Sequence, residues 1–163
     1  VAKAATPAIA ALVKANIPHE VLTYQHDPRN TNFGAEAVAE LARTHGVDPA
    51  QVFKTLVIAL PKGLAVAVIP VPSTLSLKAA AAALGAPKAT MADTADAQRS
   101  TGYVVGGISP LGQRKRLPTV IDASALNWDR VLCSGGKRGL DLALAPQHLI
   151  EATKAVVADI RTG

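Results

Sequence analysis

The stretch VFKTLVIALPKGLAVAVIPV, residues 52–71, sets two runs rich in Val, Ile, Leu and Ala on either side of a Pro-Lys-Gly turn. That pattern predicts a β-hairpin of residues 52–60 and 64–71. Side chains alternate along a strand, so Val52, Lys54, Leu56 and Ile58 share one face and Phe53, Thr55, Val57 and Ala59 the other. Neither set is polar. The first strand is therefore expected to be buried on both sides, with one lysine in the middle of one face. A fully buried lysine is rare unless it is paired or functional, and burial without an anion lowers its pKa. Two readings stand. Either the Lys54 ammonium snorkels to water over a packed stem, or its partner is a charged ligand or a reacting ester.

Outward from the hairpin, strands and helices are interspersed. Thr6 and Pro7 open a helix that stops near Asn16. Residues 35–46 form a second helix ended by Gly46, and Asp48-Pro49 caps a short helical turn. Further helices are expected from Ser76 to Gly85, over 94–101, and from Pro146 with Leu149, Ile150, Thr153, Val157 and Ile160 on one face. Strands are expected over 19–26, 102–108, 118–124, 130–136 and 140–145. Several are joined by short turns, which predicts a mixed or antiparallel sheet with helices packed around it and excludes a doubly wound parallel fold. With 163 residues and no linker or repeat, residues 1–163 read as one domain.

Seventeen Lys and Arg against twelve Asp and Glu give a net charge of +5, which permits a polyanionic partner without requiring one. The single cysteine, Cys133, excludes an intrachain disulfide and fits a reducing compartment. No apolar run reaches the ~18 residues of a membrane span. The N-terminal VAKAATPAIAALVKAN lacks the apolar centre and cleavage site of a signal peptide, so a cytoplasmic location is expected. His19, His26, His45 and His148 show no metal-ligand spacing, and no metal or cofactor is expected. Gly107 and Gly112 have the spacing of a nucleotide P-loop, but Gln113 and Arg114 follow where Lys and Ser or Thr are required. Cys133, flanked by Val131 and Leu132, reads as a small apolar residue at a strand end rather than a nucleophile.

Two glycine-rich, basic segments remain, GGISPLGQRKRLP (106–118) and SGGKRG (134–139). Amides at Gly106, Gly107 and Ile108 have the composition of an anion-binding concavity, the alternative being a tight turn. Arg114, Lys115 and Arg116, with Lys137 and Arg138, are candidate contacts to an RNA backbone.

TYQHDP, TNFG, VFKTL, LAVAVIPV, LKAAAAALGA, AQRSTGYVVGGISPLGQRKRLPTVID and SGGKRGLDLAL together resemble the YbaK proteins. These are bacterial deacylases that clear cysteine wrongly attached to proline tRNA. They are similar to the editing domain inserted in bacterial prolyl-tRNA synthetases. The resemblance runs from about Thr6 to Arg161. It implies an α/β (α+β) fold, a mixed, barrel-like β-sheet surrounded by helices, and no cofactor. It places the essential lysine of the V-[FY]-K-T-L motif on Lys54. It places the motif tyrosine on Tyr24 and the motif phenylalanine on Phe33, and puts Thr55, Gly106, Gly107, Ile108, Ser134 and Asp141 in the substrate pocket.

The resemblance implies a trans-editing deacylase acting on Cys-tRNA(Pro), and on Cys-tRNA(Cys) as a further substrate, with prolyl-tRNA synthetase as partner and the substrate thiol attacking its own ester. Alternatives are a deacylase of another specificity, such as Ala-tRNA(Pro), and a catalytically silent RNA-binding or synthetase-associated module.

Overall fold

The hairpin forms as expected: β2 (Phe53–Leu60) and β3 (Gly63–Pro70) pair antiparallel from Phe53–Pro70 to Leu60–Gly63. The structure, a computed structural model, describes residues 6–162. The first five residues of the stretch read for a signal peptide, and Gly163, lie outside the described residues.

β3 is buried from Ala65 to Pro70, where β2 covers one edge and β5 (Thr119–Asp122) pairs in parallel along the other. β8 (Val156–Ala158) extends the sheet in parallel beyond β5, and the short β4 (Thr90–Met91) pairs antiparallel with the far end of β2. The order is β4-β2-β3-β5-β8. A second, antiparallel sheet has the order β1-β7-β6, built from β1 (Glu20–Thr23), β6 (Val131–Lys137) and β7 (Leu140–Leu144). Period-two alternation divides the hairpin between two cores. Phe53, Val57, Val66 and Val68 pack with Val131, Cys133, Leu140 and Leu142 of the small sheet. Ile58, Ala65, Ala67 and Ile69 pack with Ala80 and Ile160 on the opposite face.

The five helices of the described residues are α1 (Pro7–Lys14), α2 (Phe33–His45), α3 (Leu77–Ala83), α4 (Thr94–Thr101) and α5 (Pro146–Thr153). Thr6, Asn32 and Ser76 accept hydrogen bonds from backbone N–H groups in the first turns of α1, α2 and α3.

Three expectations need correction. The sheets do not close into a barrel. Their strand-to-strand link is a single parallel bridge, Val52 to Leu132. Closure would require β6 to pair along β2. β6 is the edge strand of the small sheet, but it meets the hairpin only at that bridge and is interrupted by an irregularity between Ser134 and Lys137.

Residues 102–108 are not a strand. Gly102 ends α4 in the left-handed conformation, Gly106 has φ 88°, and the Gly107 N–H turns back to the Val104 carbonyl at 2.9 Å.

The final helix stops at Thr153. Lys154 adopts φ 54°, and the β-branched Val156 and Val157 pair with β5. The apolar spacing that predicts one long helix there belongs to a helix and a strand.

Asp122, at the end of β5, holds this C-terminal segment in place. It is fully buried, accepts the Ile160 N–H at 3.0 Å and the Ser124 N–H at 3.1 Å, and pairs with Arg161 Nε at 3.0 Å. Asp122→Ala would leave these donors unpaired. It should lower the unfolding free energy by about 3 kcal/mol in urea denaturation.

Candidate functional site

The open seam between the sheets is where the sequence motifs meet. On its outer edge β2 has a neighbour at Val52, which bridges to β6, and again at Ile58 and Ala59, which pair with β4. Residues 53–56 of that edge have no strand neighbour. The Val52 carbonyl accepts the Val71 N–H at 2.8 Å, which makes Val52–Val71 a hydrogen-bonded pair. By alternation, Lys54 then bonds to β3, and the backbone groups of Thr55 point to the open edge.

A cavity of about 300 Å³ occupies this gap. Lys54, Thr55, Tyr24, Phe33, Gly106, Ile108, Ser134 and Asp141 all line it, so most of the predicted site residues converge there from the end of β1, β2, β6, β7, α2 and the 102–108 loop.

Lys54 is half-buried rather than fully buried, and burial lowers its pKa. Among the described residues no carboxylate pairs with it. It also lines a groove beside the N-terminus of α2, with Asn32, Gly34 and Ala35. The ammonium thus stands where two hollows meet, and the positive end of the helix adds no compensating anion.

Asp141 is only 5% exposed, and its carboxylate makes no hydrogen bond or ion pair with a described residue. Burial pushes its pKa up to about 7. Tyr24 is pushed up to about 12, by burial first and then by the Asp141 charge. The cavity therefore contains an unpaired cation and an unpaired acid. The Thr55 hydroxyl oxygen is also buried without a partner.

The glycine loop differs from the expected cluster of three free amides. The Gly107 N–H is committed to Val104, while the Gly106 and Ile108 amides donate to no other described group. The glycine pair serves close approach. A Cβ at Gly106 would fall 2.5 Å from Phe33 Cγ, and one at Gly107 would fall 2.7 Å from Lys137 Cα. Arg138 fastens this contact. Its guanidinium lies 4.1 Å from the Phe33 ring centroid and donates from Nε and Nη2 to the Val105 carbonyl at 2.9 and 2.6 Å. Arg138, a candidate RNA contact from sequence, thus ties the loop to the phenylalanine of the cavity wall.

A second strap was not visible in the sequence. Glu36, buried in the first turn of α2, meets His26 Nδ1 at 2.6 Å and accepts the Asp27 N–H at 2.9 Å. It holds the segment after Tyr24 against the helix that starts with Phe33. The available signal was an acidic residue in a first helical turn three positions after Phe33.

The basic run separates from the cavity. Arg114 lies against Gly102 at the end of α4, and Lys115 and Arg116 line a groove at the turn between β2 and β3. Lys137 is exposed beside Gly107. Cys133 is fully buried and burial raises its thiol pKa, which suits the apolar role expected for it.

The aminoacyl-tRNA editing domain family matches residues 34–152. A protein of Enterococcus faecalis, provisionally named Cys-tRNA(Pro)/Cys-tRNA(Cys) deacylase EbsC, is 39% identical over 132 residues, covering 80% of this chain and 79% of that protein. Two solved structures share the fold. The hypothetical protein APE2540 has a TM-score of 0.81 and 28% identity over 96% of this chain and 99% of its own. A candidate trans-editing enzyme for prolyl tRNA synthetase has a TM-score of 0.84 and 25% identity over 100% of this chain and 99% of its own.

Replacing Arg138 by Ala should release the Val105 carbonyl and the Phe33 ring together. Amide hydrogen exchange at Val105 and Gly107, which donate to Gln98 Oε1 and the Val104 carbonyl, should accelerate at least ~10-fold while exchange in β3 stays unchanged. Unchanged exchange in the loop would show that Arg138 does not hold it.

Proposed function

The chain belongs to the aminoacyl-tRNA editing domain family, and on that premise we propose that it removes cysteine mischarged onto tRNA(Pro), with Cys-tRNA(Cys) as a further substrate. It is an aminoacyl-tRNA deacylase. The observation that carries the substrate reading is the pair of unpaired groups in one cavity, the Lys54 ammonium and the Asp141 carboxyl. An aminoacyl ester at the 3′ end of an RNA brings the complement of each. Its α-ammonium is a cation, and its ester oxygens and terminal phosphate are electron-rich or anionic.

Lys54 stabilises charge at the ester or the terminal phosphate from its position between the cavity and the α2 groove. Asp141, once ionised, receives the α-ammonium. Below about pH 7 Asp141 takes up a proton and loses that attraction, so activity falls on the acid side. The Gly106 and Ile108 amides and the Thr55 backbone N–H are the donors available to a developing oxyanion. An ester is already activated, so positioning and charge stabilisation carry most of the acceleration.

Among the described residues no cysteine or histidine lines the cavity, so its hydroxyl groups, on Tyr24, Thr55, Thr94 and Ser134, have no imidazole base there. This supports cleavage assisted by the substrate itself. The cysteine sulfur attacks its own ester carbonyl, the bond to the ribose oxygen breaks, the thiol proton passes to that oxygen, and a thiolactone leaves. Phe33, Val52, Val57 and Ile108 provide an apolar wall for a small side chain. Selection of tRNA(Pro) is assigned to an association with prolyl-tRNA synthetase.

Deacylation of Cys-, Ser-, Ala- and Pro-tRNA(Pro) by the wild type and Lys54→Ala tests the reading. The wild type should clear the cysteinyl substrate at least ~100-fold faster than the seryl one, which lacks the thiol. Lys54→Ala should lose at least ~100-fold on cysteine with an unchanged circular dichroism spectrum. A preference for alanine would replace the cysteine assignment, and wild-type activity in Lys54→Ala would remove the lysine from the mechanism.

A further inference from the structure

Two grooves away from the cavity adjoin each other and share Arg116 and Leu117. The first runs between α1 and residues 110–117 and includes Lys14. The second lies at the β2–β3 turn and includes Lys62 and Lys115. Lys14, Lys62, Lys115 and Arg116 are all exposed, no acidic residue lines either groove, and none of the four forms an ion pair with a described residue. Part of the net charge of +5 is thus gathered in a basic band along the two adjoining grooves.

The band rests on a fixed backbone. The Arg114 and Lys115 N–H groups donate to the Thr101 and Ser100 carbonyls at 2.9 and 3.0 Å. Leu117 is buried between the basic run and Pro118, and Pro61, Pro87 and Pro118 stiffen the walls of the second groove. Arg114 is turned toward the end of α4 and stands apart from the band. The run RKR therefore divides, with one residue serving the helix end and two facing the grooves.

Position identifies the occupant. Leu60 lines the second groove and Lys54 lines the cavity, and both are on β2. Six steps at about 3.3 Å per residue put them roughly 20 Å apart. An RNA whose 3′ ester sits in the cavity must run its phosphates over the surface beyond it, and a band of unpaired cations at that distance matches such a backbone. We propose that Lys14, Lys62, Lys115 and Arg116 form the docking surface for the phosphate backbone of the RNA, away from its esterified end. This rests on the functional reading above. The contacts are to phosphates, so the band contributes affinity without reading sequence, and selection among tRNAs lies elsewhere.

The test uses the triple variant Lys62→Glu, Lys115→Glu, Arg116→Glu, with its fold checked by circular dichroism. Binding of fluorescently labelled, uncharged tRNA is followed by anisotropy between 50 and 200 mM salt, and cleavage of cysteinyl-adenosine ester is measured alongside. The variant should bind tRNA at least ~10-fold more weakly, with the slope of log affinity on log salt reduced by roughly 2. It should cleave the short ester, which does not reach the band, at the wild-type rate. Wild-type tRNA affinity and salt slope in the variant would overturn the proposal. So would wild-type protein that binds polyglutamate but not tRNA, since that would make the band a protein-docking surface. If binding is lost in the variant while wild type fails to cleave any ester, the band stands and the deacylase assignment falls.

Discussion

The structure depends on an edge left open. β2 is paired along its whole length with β3, but on its other edge it meets β4 at two residues, and the bridge to β6 falls on Val52, just before the strand. Unsatisfied backbone groups at a buried edge are costly, so such an interval persists only where water or a ligand can reach it. The cavity supplies that access. It also explains how a lysine can occupy the middle of an otherwise apolar strand. Lys54 lies in the stretch of β2, residues 53–56, whose outer edge no strand covers.

Electrostatics follow from that geometry. Lys54 and Asp141 are both shifted toward their neutral forms by burial, in opposite directions on the pH scale. Two groups are held unpaired within one cavity at some cost to stability, and the substrate proposed above carries the complement of each. Around them, the walls are set by close contacts instead of by flexible chain. Gly106 lies on Phe33, Arg138 holds Val105, and Glu36 holds His26. These contacts fix the walls of the cavity.

Much of this was legible in the sequence, and the reasons differ by element. The hairpin was clear because alternation and turn chemistry agree. The convergence of Tyr24, Phe33, Thr55, Ser134 and Asp141 with Lys54 was legible only through the motif resemblance, since their separation along the chain says nothing about proximity. In the 102–108 segment the β-branched Val104 and Val105 favour a strand, but the left-handed Gly102 and Gly106 on either side break it. At the final helix, Val157 and Ile160 continue a helical spacing in the sequence that the positive φ of Lys154 interrupts in the fold. Barrel closure is a property of long-range pairing between β2 and β6, and no local pattern encodes it. The role of Arg138 was hidden for a similar reason, because its partners Phe33 and Val105 are far away in sequence.

The most direct test of the central claim is the titration of Asp141, followed by carbon NMR with and without cysteine amide-linked to 3′-amino-3′-deoxyadenosine, an analogue that resists cleavage. In the free protein the carboxyl should titrate near pH 7. With the analogue bound, the α-ammonium beside it should lower that pKa by at least ~1 unit. An Asp141 titration unchanged by saturating analogue would contradict the account, because the unpaired carboxyl would then not be the receptor for the substrate's charge.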